Sequence, residues 1–469
     1  SLLQNTMAKS GTANFYNGQA TQSLRFDTAS SAFLSRTPAG ASNQKTWTFS
    51  AWIKPSNITD SSGGAIFTRH DSGSNTFVFR LDQNDDLQVE NYTSGAYQLH
   101  LVTDAKFRDI SAWYHVVLSL DTTQGTAANR AKLYVNGVQQ TSLSASTYPS
   151  ENADLKVNAA AVHRIGARSS NNYFDGYMAE VNFVDGTQLA PTSFGETKNG
   201  VWIPIDTSGL TFGTNGFRLK FDQVGVGTAS TSTIGADTSG NTNHWTSSGI
   251  VASDCAMPDS PELNFATLNS IDTSTYCSLS EGNTKIASTS GTYWGTSRST
   301  FAVNTGKWYW EGRVVADQYA RIGILGLSTT LSALASSALG AESDGYSYYA
   351  PNGNKYNNNS ASSYGASYTT TNVIGVALDL DGGTLTFYKD NASQGTAATS
   401  LSGSFAPAFS VNTGSAATAI VANFGQDSSF AGNATAQGNT DGNGIGDFYY
   451  APPTGYLALC TANLEEPTI

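Results

Sequence analysis

The sequence predicts an all-β protein made of two tandem antiparallel β-sandwiches of jelly-roll type, and three observations lead there. Short runs with apolar residues at every second position recur along the chain, the period of a strand with one buried face. Turn-forming Gly, Asn and Asp separate these runs. Only 13% of residues are charged, about half the usual share of a globular domain, and no stretch sustains an apolar period of 3.6 for more than a few turns. At 469 residues the chain exceeds the roughly 100 to 200 residues of one domain, and 22 Phe, 22 Tyr and 8 Trp can fill two cores.

An N-terminal segment, 1–19, precedes a first sandwich over 20–222. In it Phe49, Ala51 and Ile53 alternate with Ser50, Trp52 and Lys54, and Val116, Leu118 and Leu120 alternate with Val117 and Ser119. Ala131 to Val135 runs into Asn136-Gly137, a pair suited to positive φ at both central positions of a type I′ hairpin turn. Tyr177, Ala179, Val181 and Phe183 form a further strand that ends at Asp185-Gly186. From 223 to 261 Gly, Ser, Thr and Asp prevail without a period, which predicts an inter-domain connection lying along a surface, with His244, Trp245 and Ile250 packed on a neighbour.

The second sandwich, 262–469, contains strands at Trp308 to Val314 and Ile322 to Leu327. Leu331, Leu334 and Leu339 predict one short helix over Thr329–Leu339. A hairpin follows, Val373 to Leu380 and Thr384 to Tyr388, about the turn Asp381-Gly382-Gly383. The C-terminal extension is Gly/Asn-rich over 432–447 and ends in an aromatic stretch, Phe448 to Tyr456, that packs back.

A net charge of −12 argues against nucleic acid, whose phosphates demand clustered Lys and Arg, and against anionic membranes. No run approaches the roughly 18 to 20 apolar residues of a membrane span, so no membrane insertion is expected. Ser1 to Ser10 lacks a signal peptide's basic and apolar regions, so no Sec-type export signal is expected. Cys255, Cys277 and Cys460 are too few for a disulfide framework; buried free thiols are expected, with a Cys255–Cys277 bridge as the alternative. None of the five histidines lies in a Gly-x-Ser-x-Gly or His-Glu-x-x-His context, and His115, inside an alternating strand, reads as a packed side chain.

Trp47 to Lys54, Trp113 to Asp121, Leu133 to Gly137, Ile165 to Ala167 and Phe174 to Val181 resemble, in order, the motifs of laminin-G-like, concanavalin A-like domains. Lys307 to Glu311, Ile322 to Ile324, Tyr346 to Tyr348, Val373 to Asp381 and Gly383 to Tyr388 resemble a SPRY domain. Ser23 to Asp27, Ala32 to Pro38, Asn264 to Asn269 and Pro452 to Tyr456 are similar to phrases of structural proteins of marine tailed bacteriophages. That last resemblance implies a virion surface component assembled in the host cytoplasm, a tail fibre, spike, head fibre or capsid decoration. Its partners would be other virion proteins, with many copies per virion or a homo-oligomer.

Hydrolases of the concanavalin A-like fold carry a Glu-x-Asp-x-Glu run, absent here; Asp379 and Asp381 have the i, i+2 spacing but lead into a hairpin turn. No catalytic residue is assigned and a glycan depolymerase is the least favoured reading. No cofactor is expected, with calcium left possible: the laminin-G resemblance implies a rim site, for which Asn84-Asp85-Asp86 and Asp175-Gly176 are the acidic turns, and Asp441 to Asp447 resembles part of a calcium loop that lacks its closing Glu.

Asn352, Asn354, Lys355, Tyr356, Asn357 and Asn358, with Tyr364 and Tyr368, are the candidate ligand-binding residues of the second sandwich. Amides can bond sugar hydroxyls and rings can stack on a sugar's apolar face. Asn171, Asn172 and Tyr173 are the equivalent set in the first. Trp308 and Trp310 read as core. The expected function is non-enzymatic adhesion to a host cell-surface glycan, the alternative a purely architectural virion protein.

Overall fold

The computed structural model describes residues 3–5, 15–58, 63–72, 75–169, 171–330, 336–414 and 416–464. Among them there is no α-helix, only four single-turn 3-10 segments, and strands make up the regular structure. Two compact units of the described residues divide near residue 262: Tyr16–Glu262, and 263–464 together with Leu3–Asn5 and Phe15.

The first unit is a sandwich of a seven-stranded and an eight-stranded sheet, with a separate small hairpin of Gly195–Lys198 and Val201–Pro204. Thr46–Pro55 is central, antiparallel to both Tyr114–Asp121 and Gly176–Asp185. Its alternation sends Trp47, Phe49, Ala51 and Ile53 into the inter-sheet core. There Phe49 stacks on Phe67 at 4.7 Å and Trp47 meets Phe77 edge-on at 5.6 Å. Burying each such ring contributes about 1.5 to 3 kcal/mol. The predicted Asn136-Gly137 turn closes the hairpin with Val135 opposite Val138, at φ 48° and 79°.

The opposite face of Thr46–Pro55 is also covered, so its polar residues need partners. Trp52 packs with Trp113, Tyr177 and Met257. Ser50 Oγ faces His115 Nε2 at 2.8 Å, and the Trp202 indole donates to His115 Nδ1 at 3.0 Å. That acceptor role leaves Nε2 carrying the proton. Burial pushes His115 down to about 3, and His163, whose Nε2 accepts from the Asn158 N–H at 3.1 Å, to about 4. Both imidazoles are neutral structural groups.

The expected connection over 223–261 is corrected: it belongs to the first unit. Thr246–Ser248 pairs antiparallel with Phe33–Arg36, and Trp245, Ile234 and Ile250 enter the inter-sheet core. Charge fixes the rest of the stretch. Arg25 pairs with Asp254 at 2.9 Å and Lys54 with Asp259 at 2.8 Å, all four nearly inaccessible. The Glu262 carboxylate then accepts the N–H groups of Gly18, Gln19 and Ala20 at 2.7, 2.7 and 2.9 Å.

The second unit packs a nine-stranded sheet and an eight-stranded sheet. Lys307–Ala316 lies between Val373–Asp379 and Ala419–Asn423, and Trp308 and Trp310 are core, as expected. Leu3–Asn5, from the expected N-terminal segment, pairs parallel with Phe301–Val303. Part of the predicted helix, 331–335, lies outside the described residues, and its described flanks are turn and irregular chain. The hairpin of Val373–Asp379 and Thr384–Lys389 forms as predicted. Its turn acids tie backbone: Asp379 accepts from Gly382 N–H at 2.7 Å and Asp381 from Gly306 N–H at 2.8 Å.

The aromatic end of the tail does return, with Phe448 buried against Tyr309. Glu311, wholly buried, accepts the N–H groups of Tyr449 and Tyr450, both at 2.8 Å. Asp441 accepts from the N–H groups of Asn443, Ile445 and Ala458 and from Asn463 Nδ2, at 2.9, 3.0, 2.9 and 2.7 Å.

Two outcomes follow for stability. Asp441→Ala strands several buried donors, and it is expected to cost about 3 kcal/mol in denaturant unfolding of the second unit and to expose 432–456 to limited proteolysis. Between pH 6.5 and about 4 the unfolded chain binds protons that His115 and His163 refuse in the fold. The first unit should therefore lose about 1.4 kcal/mol per pH unit for each histidine on acidification, read as a urea midpoint that falls between pH 7 and pH 5.

Candidate functional site

In the second unit Gly345–Tyr349, Lys355–Asn357 and Ser360–Ser362 form the margin of the nine-stranded sheet. Thr384–Lys389 and Ala392–Ala398 form the margin of the other. Between these margins lies a groove of about 400 Å3. One wall presents Tyr346, Lys355, Tyr356, Asn357, Ser360 and Ser362, the other Phe387, Ala397 and Ala398.

Three of the eight predicted residues in this unit meet in the groove. Lys355 bridges the walls, its Nζ donating to the Ala397 carbonyl at 2.7 Å and lying 5.6 Å from the Tyr364 ring centroid. Asn357 Nδ2 donates to the Ser343 and Gly345 carbonyls, both at 2.9 Å, which leaves its side-chain oxygen as the group open to a ligand. The Tyr356 ring lies on the opposite face of its strand from Lys355 and Asn357, against the Arg321 guanidinium at 3.7 Å, itself flanked by Trp294 at 5.0 Å and Tyr349 at 5.2 Å.

The other five do not line it. Asn352 Oδ1 accepts the Asn354 N–H at 3.0 Å in a local turn, and Asn354 in turn holds Tyr349 through its carbonyl. Asn358 sits at φ 48° in the two-residue turn between Lys355–Asn357 and Ser360–Ser362. Tyr364 is half-buried, its hydroxyl donating to the Gly395 carbonyl and accepting the Phe387 N–H at 3.2 Å; burial pushes it up to about 12. Tyr368 is corrected outright: it is 0% exposed, with its hydroxyl on the Tyr348 carbonyl at 2.7 Å. Its ring is core, 4.8 Å from that of Tyr348, which in turn meets Phe387 at 5.4 Å.

Sequence reasoning missed the second wall and the serines of the first. The polar run Ser360 to Ser363 beyond an Asn-Asn turn was the available signal.

In the first unit Asn171, Asn172 and Tyr173 form a turn. Asn171 is exposed and its carbonyl accepts the Arg168 N–H at 3.2 Å; Asn172, at φ 51°, accepts the Ala65 N–H at 3.2 Å; Tyr173 tilts against Phe33 at 6.4 Å. The more distinctive feature nearby is Tyr97, 45% exposed and stacked on His100 at 4.2 Å, with Glu90 beside Arg168 at 3.7 Å. Polar residues at alternate positions, Gln88, Glu90 and Tyr92, were its sequence signal.

Of the acids expected near calcium, Asp85 and Asp175 line one small pocket together with Asp82. Asp85 pairs with Arg108 at 2.7 Å and Asp86 with Lys106, while Asp441 and Asp447 hold backbone and Ser428. Among the described residues no three His, Cys, Asp or Glu groups are placed to hold a metal. The three cysteines are free and buried. No helix among the described residues is long and apolar enough to cross a membrane.

These two sandwiches are a concanavalin A-like domain followed by a SPRY domain. The family described as the concanavalin A-like lectin/glucanases superfamily matches residues 26–191, and the SPRY domain family matches 307–427. Among curated proteins none matches the chain. Similar solved structures include the SPRY domain of human HERC1, at 17% identity over 34% of this chain and 97% of that one, TM-score 0.30. Stonustoxin is 25% identical over 34% of this chain but only 27% of its own length, TM-score 0.28. A further human SPRY domain is 14% identical over 32% of this chain and 94% of that one, TM-score 0.26.

Packing separates two tyrosines that look alike in sequence. Tyr368→Ala is expected to cost about 3 to 5 kcal/mol and to lower the melting temperature of the second unit sharply. Tyr356→Ala, at a half-buried rim, should cost about 1 kcal/mol, both measured by calorimetry.

Proposed function

We propose that this chain is a non-enzymatic recognition protein of a tailed-phage virion surface, a tail fibre, spike or head fibre, and that its SPRY groove binds a host surface carbohydrate. The observation that carries the reading is the groove itself, where the ring of Tyr346, the side-chain oxygen of Asn357 and the hydroxyls of Ser360 and Ser362 share one face of the sheet margin. A ring for the sugar's apolar face with amide and hydroxyl groups for its rim is the chemistry of carbohydrate recognition. No carboxylate lines the groove, and glycoside hydrolysis requires two, so the site supports binding without cleavage. The virion setting is supported by the phrases Ser23 to Asp27, Asn264 to Asn269 and Pro452 to Tyr456.

A single site of this kind binds weakly. Many copies on one particle raise avidity by about 10² to 10⁴ where geometry allows simultaneous engagement. Purified protein displayed in many copies on beads is therefore expected to bind host cells and their extracted polysaccharides saturably, and Tyr346→Ala to weaken binding about tenfold. Loss of binding with a calcium chelator would bring metal into the site. Absence of binding by the multivalent bead would overturn the reading in favour of an architectural protein whose partners are other virion proteins.

A further inference from the structure

The groove differs in charge from the molecule that carries it. The chain holds 36 Asp and Glu against 24 Lys and Arg, a net −12, yet the groove lining contains no acid and one cation, Lys355. Of the three donors of that ammonium group, one is spent on the Ala397 carbonyl. Two remain for a ligand.

A second positive charge stands behind the first wall. Arg321 is 9% exposed, its Nη1 donates to the Leu339 carbonyl at 3.0 Å, and its Nε has no hydrogen-bond partner. Its guanidinium lies 3.7 Å from the centre of the Tyr356 ring, on the face of the strand turned away from Lys355. A cation in so dry a setting is screened less by salt than one in open solvent. Glu342 and Asp344, on the loop that leads into Gly345–Tyr349, do not line the groove; Asp344 is held by Ser328 and by Thr329, the latter at 2.6 Å.

We infer that the groove selects an anionic sugar, one bearing a carboxylate or a sulfate, with Lys355 as the residue that contacts the charge and Tyr346, on the same face of the sheet, as the ring that stacks on the sugar. This rests on the carbohydrate reading above and adds the ligand's charge to it. A carboxylate or sulfate oxygen can take the two unspent Lys355 donors in charge-assisted hydrogen bonds, while the neutral hydroxyls of the same sugar meet Asn357, Ser360 and Ser362. Uncharged sugars keep only the second set.

The test is a titration of the full chain with four probes: an oligogalacturonate, its methyl ester, a sulfated dextran and unmodified dextran, each at 50 and 300 mM NaCl. The acid or the sulfate is expected to bind about tenfold tighter than its neutral counterpart at low salt, with the preference shrinking at high salt. The arm that shows the preference identifies carboxylate or sulfate as the group recognised. Lys355→Met should abolish the preference and keep residual binding, Lys355→Arg should retain it, and thermal melts of both variants verify that the fold persists. Equal affinity for charged and neutral probes would overturn the inference and leave the carbohydrate reading standing. An anionic preference that survives Lys355→Met would overturn the assignment to this groove. Failure of all four probes would overturn the inference and count against the carbohydrate reading on which it rests.

Discussion

Irregular chain packed against a sheet must satisfy its own N–H groups, and in both units buried carboxylates do this. Sheets satisfy backbone groups through their ladders; the long segments between and after them have no ladder to join. One carboxylate can accept several donors at once. Glu262 gathers three successive N–H groups, Glu311 two, and Asp441 three with an Asn amide. Asp237 does the same for Arg218, Ser239 and Asn243, at 2.9, 2.9 and 2.8 Å. Without these ties the outer faces of the sheets, including the clusters around Trp52 and Phe430, would lie open to water.

The cost of burying such groups is visible at Glu311. Burial pushes its carboxyl up to about 7, against the pull of the Tyr449 and Tyr450 N–H groups, Asn423 and Tyr309. Where a cation is at hand the pairing is ionic, as for Asp254 with Arg25 and Asp259 with Lys54. Much of the chain's acidity is thus structural, and the net charge says little about what the groove prefers. The groove stands apart because its walls are sheet margins rather than irregular chain, and the group that meets free backbone there is a lysine, Lys355 on the Ala397 carbonyl.

Rigid walls also bear on recognition. Lys355 is tied across the groove and Asn357 is held by the Ser343 and Gly345 carbonyls, so the groups proposed to meet the ligand are oriented before it arrives. Less freedom is then lost on binding.

What the sequence alone determined is local. Alternation over Thr46–Pro55, Tyr114–Asp121 and Val373–Asp379 follows from backbone geometry, since successive side chains of a strand point to opposite faces. Asn136-Gly137 follows from the φ values a two-residue turn demands. Lys355, Tyr356 and Asn357 were legible as a polar aromatic run. Burial of a particular face was decided only by tertiary structure. Trp245 and Asp259 lie in a stretch without period, and their roles depend on a core and a lysine that the chain supplied some two hundred residues earlier. Tyr368 and Tyr356 are alike in composition and context, but the first lies under Tyr348 and the second at a margin. The wall of Phe387 and Ala397 comes from the opposite sheet. Strand period is a property of neighbouring residues, whereas which face is covered, and by what, depends on pairings between segments far apart in the chain.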